Sequence, residues 1–84
     1  MNPFEHSPEK DAPGTLDLRG LKCPLPALFA RRALALARPG ETMIVITDDP
    51  MASIDIPHMC HQEGYEVIAV EPENGSARLT LGRR

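Results

Sequence analysis

Thr15-Leu16-Asp17-Leu18 alternates polar and apolar positions and predicts a short strand. Arg19-Gly20-Leu21-Lys22 reads as a loop. Pro24 suits the first position of a helix, where its fixed φ fits and its missing N–H is no loss. Helix formers run from there to Ala37, and Arg38-Pro39-Gly40 supplies a cation and then a stop. Thr42 to Thr47 is β-branched and apolar on both faces, as in a central strand. Asp48-Asp49-Pro50 is a helix-start signal with Asp49 as N-cap. Ile56, Met59 and Cys60 share one face of the following helix. Pro57 interrupts that pattern, leaving two arrangements: a helix that kinks there, or a turn over 50–54 before a helix capped by Asp55. Gly64 ends the helix. Tyr65 to Val70 and Ala77 to Leu81 read as strands joined by a Pro72-Glu73-Asn74-Gly75 loop, and the last strand has one wet face, with Arg78 and Thr80. The predicted order is β-α-β-α-β-β, with right-handed crossovers onto one sheet.

Residues 1–14 break this periodicity. They hold Pro3, Pro8 and Pro13 among charged residues and read as a disordered tail before a single domain over 15–84. An 84-residue chain has room for one such domain and none for a separate cofactor domain. Phe4, Phe29 and Tyr65 are the only aromatics, and the formal net charge is −3. Base-stacking platforms and phosphate-backbone binding are therefore not expected. No apolar run approaches the ~20 residues of a membrane span. Met1 to His6 shows neither a basic nor an apolar signal region, and the expected compartment is the cytoplasm.

The charges are segregated. Leu18–Gly40 carries five cations (Arg19, Lys22, Arg31, Arg32, Arg38) and no acid, whereas Glu41–Gly75 carries eight acids and no Lys or Arg. These are either two solvated surfaces that attract within the monomer or a field gradient that orients a protein partner.

Two cysteines in a reducing compartment do not make a disulfide framework, and Cys23 and Cys60 lack Cys-x-x-Cys spacing. His58, Cys60 and His61 would need ligands from a second segment, which offers Cys23 alone, so no metal site is expected. Cys60 reads as core. Cys23 lies between strand and helix, with the helix N-terminus, Lys22 and Arg19 nearby, a setting that lowers a thiol pKa. Pro24 and Pro26 remove first-turn N–H groups, so the expected activation is moderate; in exchange they stiffen the helix start and hold the thiol outward. The bland alternative is a small buried side chain in a βα loop. No His or Asn stands at a position to serve as a paired base.

Leu16-Asp17-Leu18-Arg19-Gly20-Leu21-Lys22-Cys23-Pro24-Leu25-Pro26 resembles the TusA/SirA-like sulfur-carrier family, with its Cys-Pro-x-Pro motif. Pro39-Gly40-Glu41, Thr47-Asp48-Asp49-Pro50, Asp55-Ile56-Pro57 and Gly64-Tyr65-Glu66 follow in the family's order, so the resemblance covers residues 15–82. Tyr65 stands where many members have His. The resemblance implies a two-layer α/β sandwich of the α+β type: a four-stranded mixed sheet with two helices on one face, like the C-terminal domain of translation initiation factor three. It implies that Cys23 carries sulfur as a persulfide, with Arg19, Lys22, Pro24 and Pro26 in support. A cysteine desulfurase or rhodanese-type donor protein loads the carrier and an acceptor protein unloads it, in tRNA thiolation, molybdenum-cofactor supply or general sulfur trafficking. No cofactor is implied.

Arg31 and Arg32 are candidates for partner docking. Asp48 and Asp49 read first as capping residues and second as docking residues, because loops after adjacent parallel strands emerge at one sheet edge. The rival reading is a non-catalytic regulatory or RNA-associated module on the same fold; a gel shift with tRNA separates it from a sulfur carrier. Deleting residues 1–14 is expected to leave the melting temperature nearly unchanged; a large drop would show that the tail packs on the domain.

Overall fold

The computed structural model describes residues 14–84; the tail expected over residues 1–14 lies, but for Gly14, outside the described residues. The elements are β1 (Thr15–Asp17), α1 (Leu25–Leu36), β2 (Thr42–Thr47), α2 (Ala52–Glu63), β3 (Glu66–Glu73) and β4 (Ser76–Gly82). The sheet order is β1-β2-β4-β3. β1 and β2 run parallel, and the two remaining pairings are antiparallel. This is the expected mixed α/β sheet. Pairing starts at Thr15, opposite Ile44, whose N–H reaches the Gly14 carbonyl at 2.6 Å.

β2 is central, as its two-sided apolar pattern requires. Met43 and Val45 face the helices with Leu16, Leu79 and Leu81, and Phe29, Ala30, Leu34, Ile56, Met59 and Cys60 close the core from the helix layer. The opposite sheet face carries Ile44 and Ile46, in register with Thr80 and Arg78. Helix α1 is apolar on two sides, and the structure separates them. Phe29, Ala30 and Leu34 are buried, while Leu25, Leu28 and Leu36 remain exposed.

Three local expectations are corrected. Pro24 is the N-cap of α1, one residue outside the helix, and Pro26 is the proline inside the first turn. The α1 helix therefore starts at Leu25. The β3–β4 connection is tighter than a four-residue loop, because Pro72 and Glu73 pair with Ala77 and Ser76. Asn74-Gly75 alone makes the turn, and Gly75 has φ +69°, which a glycine adopts without strain. Pro72 is tolerated because β3 is an edge strand. Third, the N-cap of α2 is Met51 and not Asp49; of the two arrangements open at Pro57, the structure takes the single helix, which runs through it from Ala52.

Asp49 acts three residues before the first residue of α2. Its Oδ1 accepts the Met51 N–H at 3.2 Å and its carbonyl accepts the Ala52 N–H at 3.0 Å, capping a turn that leads into the helix. At the far end Gly64 takes a left-handed conformation, and Tyr65 N–H returns to the Cys60 carbonyl at 2.8 Å.

Asp49 is buried and its Oδ2 also accepts the Cys23 N–H at 2.6 Å. Asp49→Ala leaves that N–H without its partner and is expected to cost about 1–3 kcal/mol in urea unfolding. Asp48→Ala, at an exposed side chain, should cost well under half as much. Equal losses would contradict the separate role of Asp49.

Candidate functional site

Parallel pairing of β1 and β2 brings two loops to one edge: residues 18–24 after β1 and residues 48–51 after β2. Two aspartates of the second segment and one from α2 hold the first. Asp48 Oδ1 accepts the Gly20 N–H at 2.9 Å. Asp49 Oδ2 accepts the Cys23 N–H. Asp55, one turn into α2, accepts the Cys23 thiol hydrogen on Oδ2 at 2.9 Å. Below them Leu18 N–H extends the β1–β2 pairing to the Ile46 carbonyl at 2.7 Å. The thiol thus stands on a loop tied down at both ends.

Cys23 is exposed and Cys60 is buried. The Cys23–Pro24 peptide bond is cis. Exposed apolar side chains flank the thiol in sequence on both segments: Leu25 and Leu28 on α1, Met51 and Ile54 at the start of α2. A cleft of about 320 Å³ opens beside the Asp48–Asp49 loop, with Ser53, Pro72 and Glu73 in its wall.

The electrostatics reverse one expectation. The Asp55 hydrogen bond, then desolvation, then the negative charges of Asp55 and Asp49 hold the Cys23 thiol above the ordinary cysteine value. The α1 N-terminus does not offset them. Pro24 and Pro26 have no N–H, and Leu25 N–H turns back to the Lys22 carbonyl at 2.9 Å. Arg19 is taken up by Asp17, which its guanidinium meets at 2.9 and 2.6 Å. Lys22, the residue before Cys23, is exposed. Cys60 is pushed up to about 11 by burial alone.

Of the sequence candidates, the structure therefore gathers Cys23, Lys22, Pro24, Pro26, Asp48 and Asp49 at one edge. Arg31 and Arg32 are exposed further along α1, six and seven residues beyond its first residue. Of the two readings of Asp49, capping and docking, the geometry matches the first: its carboxylate is buried and bound to the Cys23 and Met51 N–H groups. His58 and His61 are exposed while Cys60 faces the core, so the three do not converge. Asp55 is the residue that sequence reasoning left as a possible cap.

This fold and edge cysteine have relatives. Residues 14–83 match the family Sulfurtransferase TusA. The chain belongs to the TusA sulfurtransferase family. It is also similar to the crystal structure of a SirA-like protein from Desulfitobacterium hafniense. That match has 31% identity and a TM-score of 0.69, and it covers 80% of this chain and 92% of that one. Membership supports a general sulfur-carrier role, with partners in sulfur relay. Among the described residues no helix is long and apolar enough to cross a membrane.

Alkylation by iodoacetamide at neutral pH should fall on Cys23 and spare Cys60, by access and by thiolate fraction together. Because Asp55 and Asp49 raise the Cys23 thiol, its rate should keep rising with pH beyond the range in which an unstructured cysteine peptide has levelled off. A Cys23 profile that levels off below the peptide's would contradict the arrangement.

Proposed function

We propose that this chain carries sulfane sulfur as a persulfide on Cys23, taking it from one protein and giving it to another. The observation that carries the reading is the exposed thiol on a loop fixed by Asp48, Asp49 and Asp55. Such a loop presents one exposed sulfur atom at a defined place. That suits delivery into the active site of another protein more than catalysis on a free small molecule.

Loading is an exchange between sulfurs. Cys23 sulfur, as thiolate, attacks the outer sulfur of a donor persulfide. The donor's S–S bond breaks as the Cys23 S–S bond forms. The donor leaves as a thiolate and takes up the proton that Cys23 released, so no external oxidant is needed. Unloading repeats these steps with an acceptor thiol.

Leu25, Leu28, Met51 and Ile54 are apolar side chains left in water beside the thiol segments, and they suit a docking collar. Arg31, Arg32 and Lys22 add exposed cations, and Asp48 adds an exposed acid. A cysteine desulfurase or rhodanese-type protein fits the donor's part, and the proposed compartment is the cytoplasm.

Incubation with a cysteine desulfurase and cysteine should add one reducible sulfur atom to the intact protein. Cys23→Ser should abolish the adduct with a native circular-dichroism spectrum, and Cys60→Ser should still load. Normal loading of Cys23→Ser would refute the proposal. Arg31→Glu with Arg32→Glu should slow loading more at low salt than at high salt. A loss that does not vary with ionic strength would remove the electrostatic part of docking.

A further inference from the structure

The Cys23–Asp55 contact has different meanings in the two forms of a sulfur carrier. In the empty form Sγ bears a hydrogen and donates it to Asp55 Oδ2 at 2.9 Å. In the loaded form Sγ is bonded to a second sulfur and has no hydrogen to give. The same approach then sets sulfur lone pairs against a carboxylate. The outer sulfur, more acidic than a thiol, adds a second negative charge beside Asp55 and Asp49. Asp49 cannot swing away, because its Oδ2 is bound to the Cys23 N–H and its Oδ1 to the Met51 N–H. Lys22 is the adjacent cation, and the Arg19 guanidinium is bound to Asp17.

We infer that Asp55 is a positioning residue that favours the empty carrier over the loaded one, making Cys23 a ready sulfur donor. The inference rests on the persulfide reading above and adds a direction to it. In unloading, the bond between Sγ and the outer sulfur breaks and a bond from that sulfur to the acceptor's sulfur forms. The acceptor's thiol hydrogen ends on Sγ, and the Asp55 hydrogen bond is remade. Oxidation levels balance across the exchange. A bond present on only one side of an equilibrium shifts it toward that side, whatever the route between them.

The shift can be read by letting two carriers compete for the same sulfur. Wild-type protein and ¹⁵N-labelled Asp55→Asn are mixed in equal amounts, one loaded beforehand with inorganic polysulfide and the other empty. A trace of glutathione shuttles sulfur between them. Intact mass gives the loaded fraction of each, and the mixture is approached from both directions. Asn keeps the shape and removes the charge. The sulfur should settle on Asp55→Asn by roughly three- to tenfold, a partial share of what a hydrogen bond to a charged group supplies when screened by water. An even partition, or one favouring wild type, would overturn the inference.

A second measurement needs no sulfur. The iodoacetamide pH profile of empty Asp55→Asn should shift to lower pH than that of wild type, as a purely structural role for Asp55 would not require. For each unit of fall in pKa the thiolate fraction at neutral pH rises ~10-fold while its nucleophilicity drops ~3-fold, so the neutral-pH rate rises ~3-fold. An unshifted profile would overturn the inference as well. Asp55→Ser serves in both measurements if Asp55→Asn does not fold. Failure of Cys23 to load from a desulfurase, with the profile shifted as expected, would instead count against the carrier reading and leave the Asp55 contact standing.

Discussion

The buried carboxylate of Asp49 holds the site together. It sits where two parallel strands end, and it binds a backbone N–H from each of the loops that follow them. Without it the Cys23 segment would be an exposed loop with two prolines and few ways to satisfy its backbone. With it, the segment becomes an extension of the α2 start. Asp48 and Asp55 add a bond on either side, at Gly20 N–H and at the thiol itself. The parallel β1–β2 pairing is the reason these bonds exist, since it alone brings residues 20–23 beside residues 48–55.

This arrangement displays a thiol without ionising it. Reactivity in a carrier has two requirements that pull apart: the sulfur must be reachable, and it must not react with every electrophile it meets. Exposure meets the first. The two carboxylates meet the second by disfavouring the thiolate in the free protein. A partner that brings a cation to Asp55 would relieve that penalty only in the complex. Cys60 reaches low reactivity by the other route, burial, and has no access to a partner at all.

Much of the fold was legible because it rests on local periodicity. The alternation of Ala77, Leu79 and Leu81 and the two-sided apolar run of β2 each carry their own position in the sheet. The misreadings were of two kinds. One concerns prolines: the pattern puts Pro24 inside the helix and Pro72 in the loop, and both stand one step away, at the N-cap and in the strand. Neither position asks for a backbone N–H, one being an N-cap and the other on an edge strand, so the elements formed around them. The thiol's electrostatics were judged from its sequence neighbours, Arg19, Lys22 and the helix start. The groups that govern it, Asp49 and Asp55, lie 26 and 32 residues away. The available signal was topological: residues in the first turn of the helix after β2 must face the loop after β1 once the two strands pair in parallel.

The central claim is that a carboxylate from the β2–α2 segment fixes the Cys23 backbone, and hydrogen exchange at the Cys23 amide tests it directly. In the native protein that amide should be protected well beyond an exposed loop. In Asp49→Ser its exchange should speed by an order of magnitude or more while the core-strand amides of Val45 and Leu79 keep most of their protection. A Cys23 amide that already exchanges in the wild type at the rate of an unstructured peptide would contradict the account.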